Sequence, residues 1–313
     1  MIINLVGGQK ASIRNLGFIL PHEHLRVRSE GITNYWPMMY NEQDEIEIIN
    51  RKIKECRKFG VNTIFDLTVF GLGRNINLME EISNKTGINI VAATGLYTFN
   101  ELPRVLKSRS NNFLANLFIQ EIEEGIVNTN TRASILKCAT DQPGVTQDVE
   151  KVIRAVAIAN INTGAPIFTH SFPGNQSGLA QIKILKDEGV DMNQVVIGHS
   201  GDTEDIGYLR ALLKEGVFIG LDRFGIWKYP TTEARINIVL RLIKEGFSDK
   251  ILISHDASLI NDKYNEDEMP HFVKPRSLSF IPSVVIPELL RRGVKQEVVD
   301  QITKENPIMP FNP

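Results

Sequence analysis

Two histidines one residue apart form the clearest chemical pattern in the sequence, Pro21-His22-Glu23-His24-Leu25. Residues at i and i+2 of an extended strand point to the same side, so His22 and His24 can bind one cation while Glu23 faces away. The apolar run before them predicts a buried strand with both imidazoles at its C-terminal end. Taken alone, the pair is compatible with a metal site and with two ordinary histidines.

Further candidate ligands stand at the ends of later apolar runs. These are His170, His199 and Asp256. If each run is a strand of one β/α barrel, these side chains meet His22 and His24 at the C-terminal face of the barrel. Barrel enzymes place their active sites at that face. Any one of these histidines alone would be interpreted as an ordinary core or surface residue. Together, neutral imidazoles and a carboxylate predict a transition-metal site for zinc, cobalt, iron or manganese.

Lys137 also ends an apolar run, and it is the unusual member of the set because an ammonium group would repel metal cations. Reaction with carbon dioxide would give a carbamate, which carries one negative charge and two oxygens. Such a group can bridge two cations about 3.5 to 4 Å apart. The residue pattern alone favours the simpler alternative, a lysine whose ammonium group reaches solvent from a strand end.

Extended apolar runs alternate with amphipathic ones along the chain. The predicted strands are 17–22, 61–67, 88–94, 133–137, 166–170, 195–199, 217–220 and 251–254. The predicted helices are 44–59, 75–86, 113–127, 146–163, 178–188, 203–214, 231–246 and 282–292. This repeated alternation is typical of an α/β fold of the (β/α)8 TIM-barrel type, here with a short N-terminal extended segment. The alternative is a doubly wound sheet. That fold favours a glycine-rich G-x-G-x-x-G turn after its first strand, and no predicted strand here is followed by such a turn.

The length of 313 residues suits one large α/β domain or two small ones, and the uninterrupted series of strands and helices favours a single domain over residues 1–313; the composition argues against several other classes of protein. Thirty-five basic and 37 acidic residues give a net charge of −2, so we expect a small-molecule substrate, no nucleic acid and no membrane surface. The sequence predicts no secretory signal and no membrane-spanning helix. With only Cys56 and Cys138 present, we expect no disulfide framework and a reducing, cytoplasmic location.

The sequence resembles the phosphotriesterase-like lactonases of the amidohydrolase superfamily, whose members are binuclear-metal barrels. The resemblance extends over nearly the whole chain. It is carried by His22-Glu23-His24-Leu25, Gly71-Leu72-Gly73-Arg74, Thr94-Gly95-Leu96-Tyr97, Lys137, Thr169-His170-Ser171, Gly198-His199-Ser200-Gly201-Asp202-Thr203, Gly220-Leu221-Asp222-Arg223-Phe224-Gly225 and Ile253-Ser254-His255-Asp256.

The resemblance implies a ligand set for two divalent metal ions. In that set, His22, His24 and Asp256 hold the more buried metal. His170 and His199 hold the more exposed one, and N6-carboxylated Lys137 and a hydroxide bridge the two.

The resemblance also implies an activity and roles for two pocket residues. Tyr97 and Arg223 match positions that line the lactonase pocket; without the resemblance they would be interpreted as an ordinary aromatic and a salt-bridged arginine. The hydroxide would attack the lactone carbonyl, and Asp256 would receive its proton and pass it to the leaving group. The expected substrates are N-acyl-homoserine lactones, as in quorum quenching, and related oxo-lactones, with promiscuous activity on phosphotriesters such as paraoxon.

Two other functions remain open at this point. One is a dedicated phosphotriesterase (aryldialkylphosphatase) or carboxylesterase that uses the same centre. The other is a non-catalytic barrel that binds a metabolite or a protein partner. The acyl-chain preference also stays open, because the sequence departs from the family after Asp256, where a long loop is predicted over 257–276.

A homodimer is expected from the resemblance. The apolar segment Trp36-Pro37-Met38-Met39-Tyr40 is a candidate interface for it, and a loop packed on its own barrel is the alternative.

Overall fold

Parallel strands that alternate with helices form a (β/α)8 barrel, which confirms the predicted fold class. The computed structural model describes residues 1–225, 230–262 and 277–312. The strands in these ranges are β1 (Ile2–Asn4), β2 (Lys10–Ser12), β3 (Phe18–Val27), β4 (Val61–Asp66), β5 (Asn89–Gly95), β6 (Ile135–Ala139), β7 (Ile167–His170), β8 (Val195–Gly198), β9 (Phe218–Leu221), β10 (Ile251–Ile253) and β11 (Ser258–Asn261).

The helices surround this sheet. In the same ranges they are α1 (Ile32–Tyr35), α2 (Glu42–Lys58), α3 (Ile76–Thr86), α4 (Arg104–Lys107), α5 (Asn111–Glu123), α6 (Gln147–Thr163), α7 (Ser177–Asp187), α8 (Ile206–Lys214), α9 (Thr232–Lys244), α10 (Ile286–Arg291) and α11 (Gln296–Asp300). Helix α10 is preceded by a π-helical turn over Ile281–Val285, and α11 is followed by another over Gln301–Glu305.

Hydrogen bonds between β3, the first strand of the barrel, and the segment that follows β10, the last one, close the barrel. β1 and β2 pair antiparallel as the short N-terminal extended segment. The remaining strands of the described residues form one parallel sheet in the order β10-β9-β8-β7-β6-β5-β4-β3-β11. The amide of Asp256 donates to the carbonyl of His22 at 3.0 Å, and the amide of His24 donates to the carbonyl of Ala257 at 2.7 Å. The chain segment that leaves β10 is therefore bonded directly to β3.

β3 is longer than the sequence predicted, and the two histidines lie inside it rather than at its end. The pairing of β3 with β4 ends where Glu23 faces Asp66, which leaves the second half of β3 without β4 as a neighbour. β11 pairs with that half, with Ser258 opposite His24. The prediction of a loop over 257–276 is therefore wrong for β11. Residues 263–276 lie outside the described residues.

Local sequence explains where most of the helices begin. Side chains at the N-terminal caps accept a backbone N–H three residues on, as Asn41, Asn75, Ser110 and Thr146 do. Helix α5 ends at Glu123, short of the predicted residue 127. The turn that follows contains left-handed backbone at Val127 (φ 44°) and Asn128 (φ 58°), which no helix accommodates.

The barrel interior is filled by a cluster of buried apolar side chains, and each of the eight barrel strands β3–β10 contributes to it. This cluster includes Ile19, Phe65, Val91, Ile135, Phe168, Val196, Phe218 and Leu252. Close packing here makes the barrel a solid support for the residues at its C-terminal face. Cys56 and Cys138 are buried free thiols. Among the described helices, none is both long and apolar enough to cross a membrane.

Candidate metal centre

The side chains of β3 and the residues after β10 form one half of the candidate centre. Nε2 of His24 lies 3.3 Å from Oδ1 of Asp256, and Nε2 of His22 lies 3.8 Å from the same oxygen. Lys137, within β6 rather than after it, points its Nζ at Nε2 of His22 from 3.1 Å. These donor atoms, contributed by β3, β6 and the segment after β10, therefore face one another at one end of the barrel.

His170 and His199 form the other half. Nδ1 of His170 lies 2.8 Å from Nε2 of His199. The ring of His199 stacks on that of His22, with the centroids 4.9 Å apart. Ligand atoms of His22, His199 and Asp256 all lie within 4.8 Å of one another. The structure thus brings together all six residues proposed as metal ligands, and their roles as ligands stay predictions.

The nitrogen of each histidine that faces away from the centre has a polar partner. One carboxylate, Asp222, contacts Nδ1 of His22 at 2.5 Å and Nδ1 of His199 at 2.8 Å. Nδ1 of His24 contacts the hydroxyl of Thr68 at 2.9 Å. Nε2 of His170 contacts Asp141 at 3.1 Å. Partners of this kind fix the ring and its tautomer and leave the other nitrogen free for a metal.

The sequence prediction assigns no role to these three orienting residues, Asp222, Thr68 and Asp141. Asp222 directly follows β9, at the same kind of position that singled out Asp256, and this signal was available. Asp141 and Thr68 lie two residues after the ends of β6 and β4, which is closer than Asp256 lies to the end of β10, so the same signal was available for them.

Two of the candidate ligands have left-handed backbone conformations. His199 has φ 58° and Asp256 has φ 51°, a region that non-glycine residues rarely occupy. Each such residue costs on the order of 1–3 kcal/mol and persists only where its surroundings hold it in place. Strain of this kind is concentrated at functional sites.

Burial and charge give the centre the protonation states that metal ligands need. Burial lowers the pKa of His22, and it lowers that of His199 well below the ordinary value. Burial also lowers the pKa of His170 to about 4. Burial alone would raise the pKa of the Asp222 and Asp256 carboxyl groups. The neighbouring His199 and His22 nevertheless hold the pKa of Asp222 well below its usual range, and His199 and Arg223 do the same for Asp256. Neutral imidazoles and ionised carboxylates result.

Lys137 is fully buried, so the alternative of an ammonium group that reaches solvent is wrong. Burial lowers its pKa to about 8, against the opposing effect of Asp222 and Asp256. A buried amine with this pKa loses its proton more readily than a surface lysine does, and the neutral amine is the form that reacts with carbon dioxide. The surroundings of Lys137 therefore fit a carbamate, and the six residues together fit a pair of divalent metal ions.

Tyr97 and Arg223 lie against this centre from two sides. The hydroxyl of Tyr97 is 3.1 Å from Nδ1 of His170, and burial followed by the charge of Asp256 raises the pKa of Tyr97, which keeps the hydroxyl protonated. Nε of Arg223 donates to Oδ2 of Asp256 at 2.9 Å. A second guanidinium nitrogen of Arg223 donates to Asp202. The residues proposed to line the pocket are thus adjacent to the residues proposed to bind metal.

Comparison with known proteins identifies the family. The profile of the phosphotriesterase family matches residues 4–311. An aryldialkylphosphatase of Saccharolobus solfataricus is 46% identical over 309 residues, which are 98% of each chain. A phosphotriesterase homology protein of Mycobacterium tuberculosis is 40% identical over 301 residues, 94% of this chain and 92% of the relative. The solved structure of the phosphotriesterase from Mycobacterium tuberculosis has a TM-score of 0.94 and 38% identity, and the match covers 100% of this chain and 98% of that one. The chain therefore belongs to the phosphotriesterase family of hydrolases.

Proposed function

We propose that the protein is a binuclear-metal hydrolase that opens lactones and also hydrolyses phosphotriesters at a lower rate. One observation carries the proposal: four histidines, a buried lysine and an aspartate converge at the C-terminal face of the barrel, and each histidine is oriented by a polar partner. Ordinary core histidines would not require this convergence.

The chain supplies two neighbouring sets of metal ligands. His22, His24 and Asp256 would hold the more buried ion, His170 and His199 would hold the more exposed one, and carboxylated Lys137 would lie between them. This donor set suits zinc, cobalt, iron and manganese. Two such ions would supply a water that is nucleophilic near neutral pH and a Lewis acid for the substrate oxygen.

The protein's own groups position the substrate and move the proton. The Tyr97 hydroxyl, beside His170, would donate a hydrogen bond to the carbonyl oxygen that is attacked. Asp256 presents Oδ1 to His24, while Oδ2 accepts from Arg223. This carboxylate is thus held where it would receive a proton from the nucleophile and return it to the leaving oxygen.

A dedicated phosphotriesterase is the second candidate, and the relative named an aryldialkylphosphatase supports it. The two candidates differ in substrate rather than in chemistry. We would compare kcat/KM for a long-chain N-acyl-homoserine lactone, for paraoxon and for a simple carboxylic ester. The proposal predicts that the lactone has the highest kcat/KM, and a clear preference for paraoxon would favour the second candidate.

We also propose that the protein is a homodimer whose interface includes the segment Trp36-Pro37-Met38-Met39-Tyr40. Trp36, Met38 and Met39 are 52%, 78% and 64% exposed, which leaves much of their apolar surface available to a partner, whereas Tyr40 contacts Arg28 and Asp262 of its own chain. Contiguous exposed apolar side chains favour an interface. Sedimentation of the wild type and of Met38→Glu tests this, and a monomeric wild type would refute it.

A further inference from the structure

Glu23 lies between the two histidines of β3 and points away from the metal centre, into the protein interior. It is buried, and its carboxylate accepts hydrogen bonds from four donors of the segment 254–257. Oε1 accepts from the Ser254 hydroxyl at 2.7 Å, the His255 amide at 2.9 Å and His255 Nδ1 at 2.7 Å. Oε2 accepts from the Ala257 amide at 2.8 Å. One side chain thus holds the segment that carries Asp256.

The two backbone amides bound by Glu23 flank Asp256, one on each side. Asp256 itself has φ 51°, so its conformation has to be imposed by its neighbours. Its own amide donates to the carbonyl of His22 at 3.0 Å, while the carbonyl of Ala257 accepts from the amide of His24 at 2.7 Å. The main chain on both sides of Glu23 is therefore bonded to the main chain of Asp256 and of the residue that follows it.

His255 extends this connection to the C-terminal part of the chain. Its Nε2 accepts from the amide of Ile281 at 3.0 Å, which places the ring proton on Nδ1, where it is donated to Glu23. All the groups that contact Glu23 are therefore donors. A carboxylate satisfies such a surrounding, whereas an amide of the same shape would turn an N–H group against an N–H group.

On the basis of the metal site proposed above, we propose that Glu23 is a positioning residue that sets Asp256 against His22 and His24, and thereby the affinity of the more buried metal position. Glu23 touches no metal ligand atom in this role; it acts through the backbone of residues 255–257. Loss of a group that orients metal ligands typically lowers metal affinity about 10- to 100-fold.

The test compares Glu23→Gln with a matched control, Glu121→Gln. Glu121 is a partly buried glutamate that accepts from Arg74 at 2.8 and 2.5 Å and from Thr94 at 2.5 Å, away from the centre. Each protein is stripped of metal, and its Co²⁺ dissociation constant is measured by chelator competition, together with the visible Co²⁺ spectrum and the melting temperature of the apo-protein. We expect a Co²⁺ dissociation constant about 10- to 100-fold higher and an altered spectrum for Glu23→Gln. We expect neither change for Glu121→Gln.

A purely structural role for Glu23 would lower the apo melting temperature and leave the Co²⁺ affinity and spectrum of the folded protein unchanged, and that result would overturn the proposal. If Glu23→Gln does not fold, Glu23→Asp keeps the charge but shortens the side chain, which draws the carboxylate away from its donors in the segment 254–257. It should weaken Co²⁺ binding in the same direction, and an unchanged affinity would be equally decisive against the proposal. A wild type that binds no Co²⁺ would instead refute the metal site itself.

Discussion

Asp222 is the residue whose replacement tests the organisation of the metal centre most sharply. Its Oδ2 faces Nδ1 of His22, whereas its Oδ1 accepts from both Nδ1 and the backbone amide of His199, each at 2.8 Å. In Asp222→Asn, the two donors on Oδ1 would retain the amide oxygen, so the new NH2 group would face His22. The Nδ1 atom of His22 would then have to accept a hydrogen bond, which moves the ring proton to Nε2. A protonated Nε2 cannot bind a metal ion.

The magnitude follows from the contacts that are lost. Losing an orienting partner of a metal-bound histidine costs about 10- to 100-fold in metal affinity, or about 1.4–2.8 kcal/mol. The apo-protein also loses a hydrogen bond to a buried carboxylate, which contributes about 1.5–3 kcal/mol to stability. We therefore expect Asp222→Asn to weaken metal binding at least tenfold and to lower the free energy of unfolding of the apo-protein.

Chelator competition with zinc measures the first effect, and urea unfolding of the metal-free protein measures the second. Asp187→Asn, at an exposed position of α7, is the control, and it should change neither quantity. An Asp222→Asn variant that binds zinc within twofold of the wild type would refute the reasoning about the His22 tautomer.

Three further predictions concern Lys137, Tyr97 and Glu45. Lys137→Ala should reduce the metal content below about one ion per chain and abolish hydrolysis, because the bridging group is lost; an unchanged variant would refute the carbamate. Tyr97→Phe should lower kcat for the lactone by about 100-fold at unchanged metal content, and an unaltered kcat would exclude a role for the hydroxyl. Glu45→Ala should destabilise the fold by about 3–5 kcal/mol in urea unfolding, because it leaves the buried guanidinium of Arg28 without its carboxylate partner. Glu81→Ala, which removes an exposed ion pair with Lys85, should change the free energy of unfolding by less than about 1 kcal/mol. An equally small effect of Glu45→Ala would contradict the argument that burial makes the pair with Arg28 important for stability.

The fold and the positions of most of the candidate ligands at one face of the barrel were predictable because they depend on local patterns. Each apolar run becomes a barrel strand, and a polar residue at or near its C-terminal end projects onto one face of the barrel. His170, His199 and Asp256 were located in this way. Lys137 was located too. Its complete burial was not predicted, because a lysine at the end of an apolar run can lie at the surface or in the interior, and the sequence does not distinguish the two.

Which ligand each supporting group contacts was not predictable, because these contacts join distant parts of the chain. Asp222 contacts His22 across 200 residues, and Glu23 contacts His255 across 232. Strand β11 was missed for a similar reason. It pairs only because β3 extends past the end of its pairing with β4, a fact that no run of four residues reveals.

Anomalous X-ray scattering from crystals of the metal-loaded protein, collected at the absorption edge of the metal supplied, tests the central claim most directly. The proposed centre predicts two peaks at the C-terminal face of the barrel. One should contact His22, His24 and Asp256, the other should contact His170 and His199, and density for a carboxylated Lys137 should join them. A fully loaded crystal with no anomalous peak among these six residues would contradict the account.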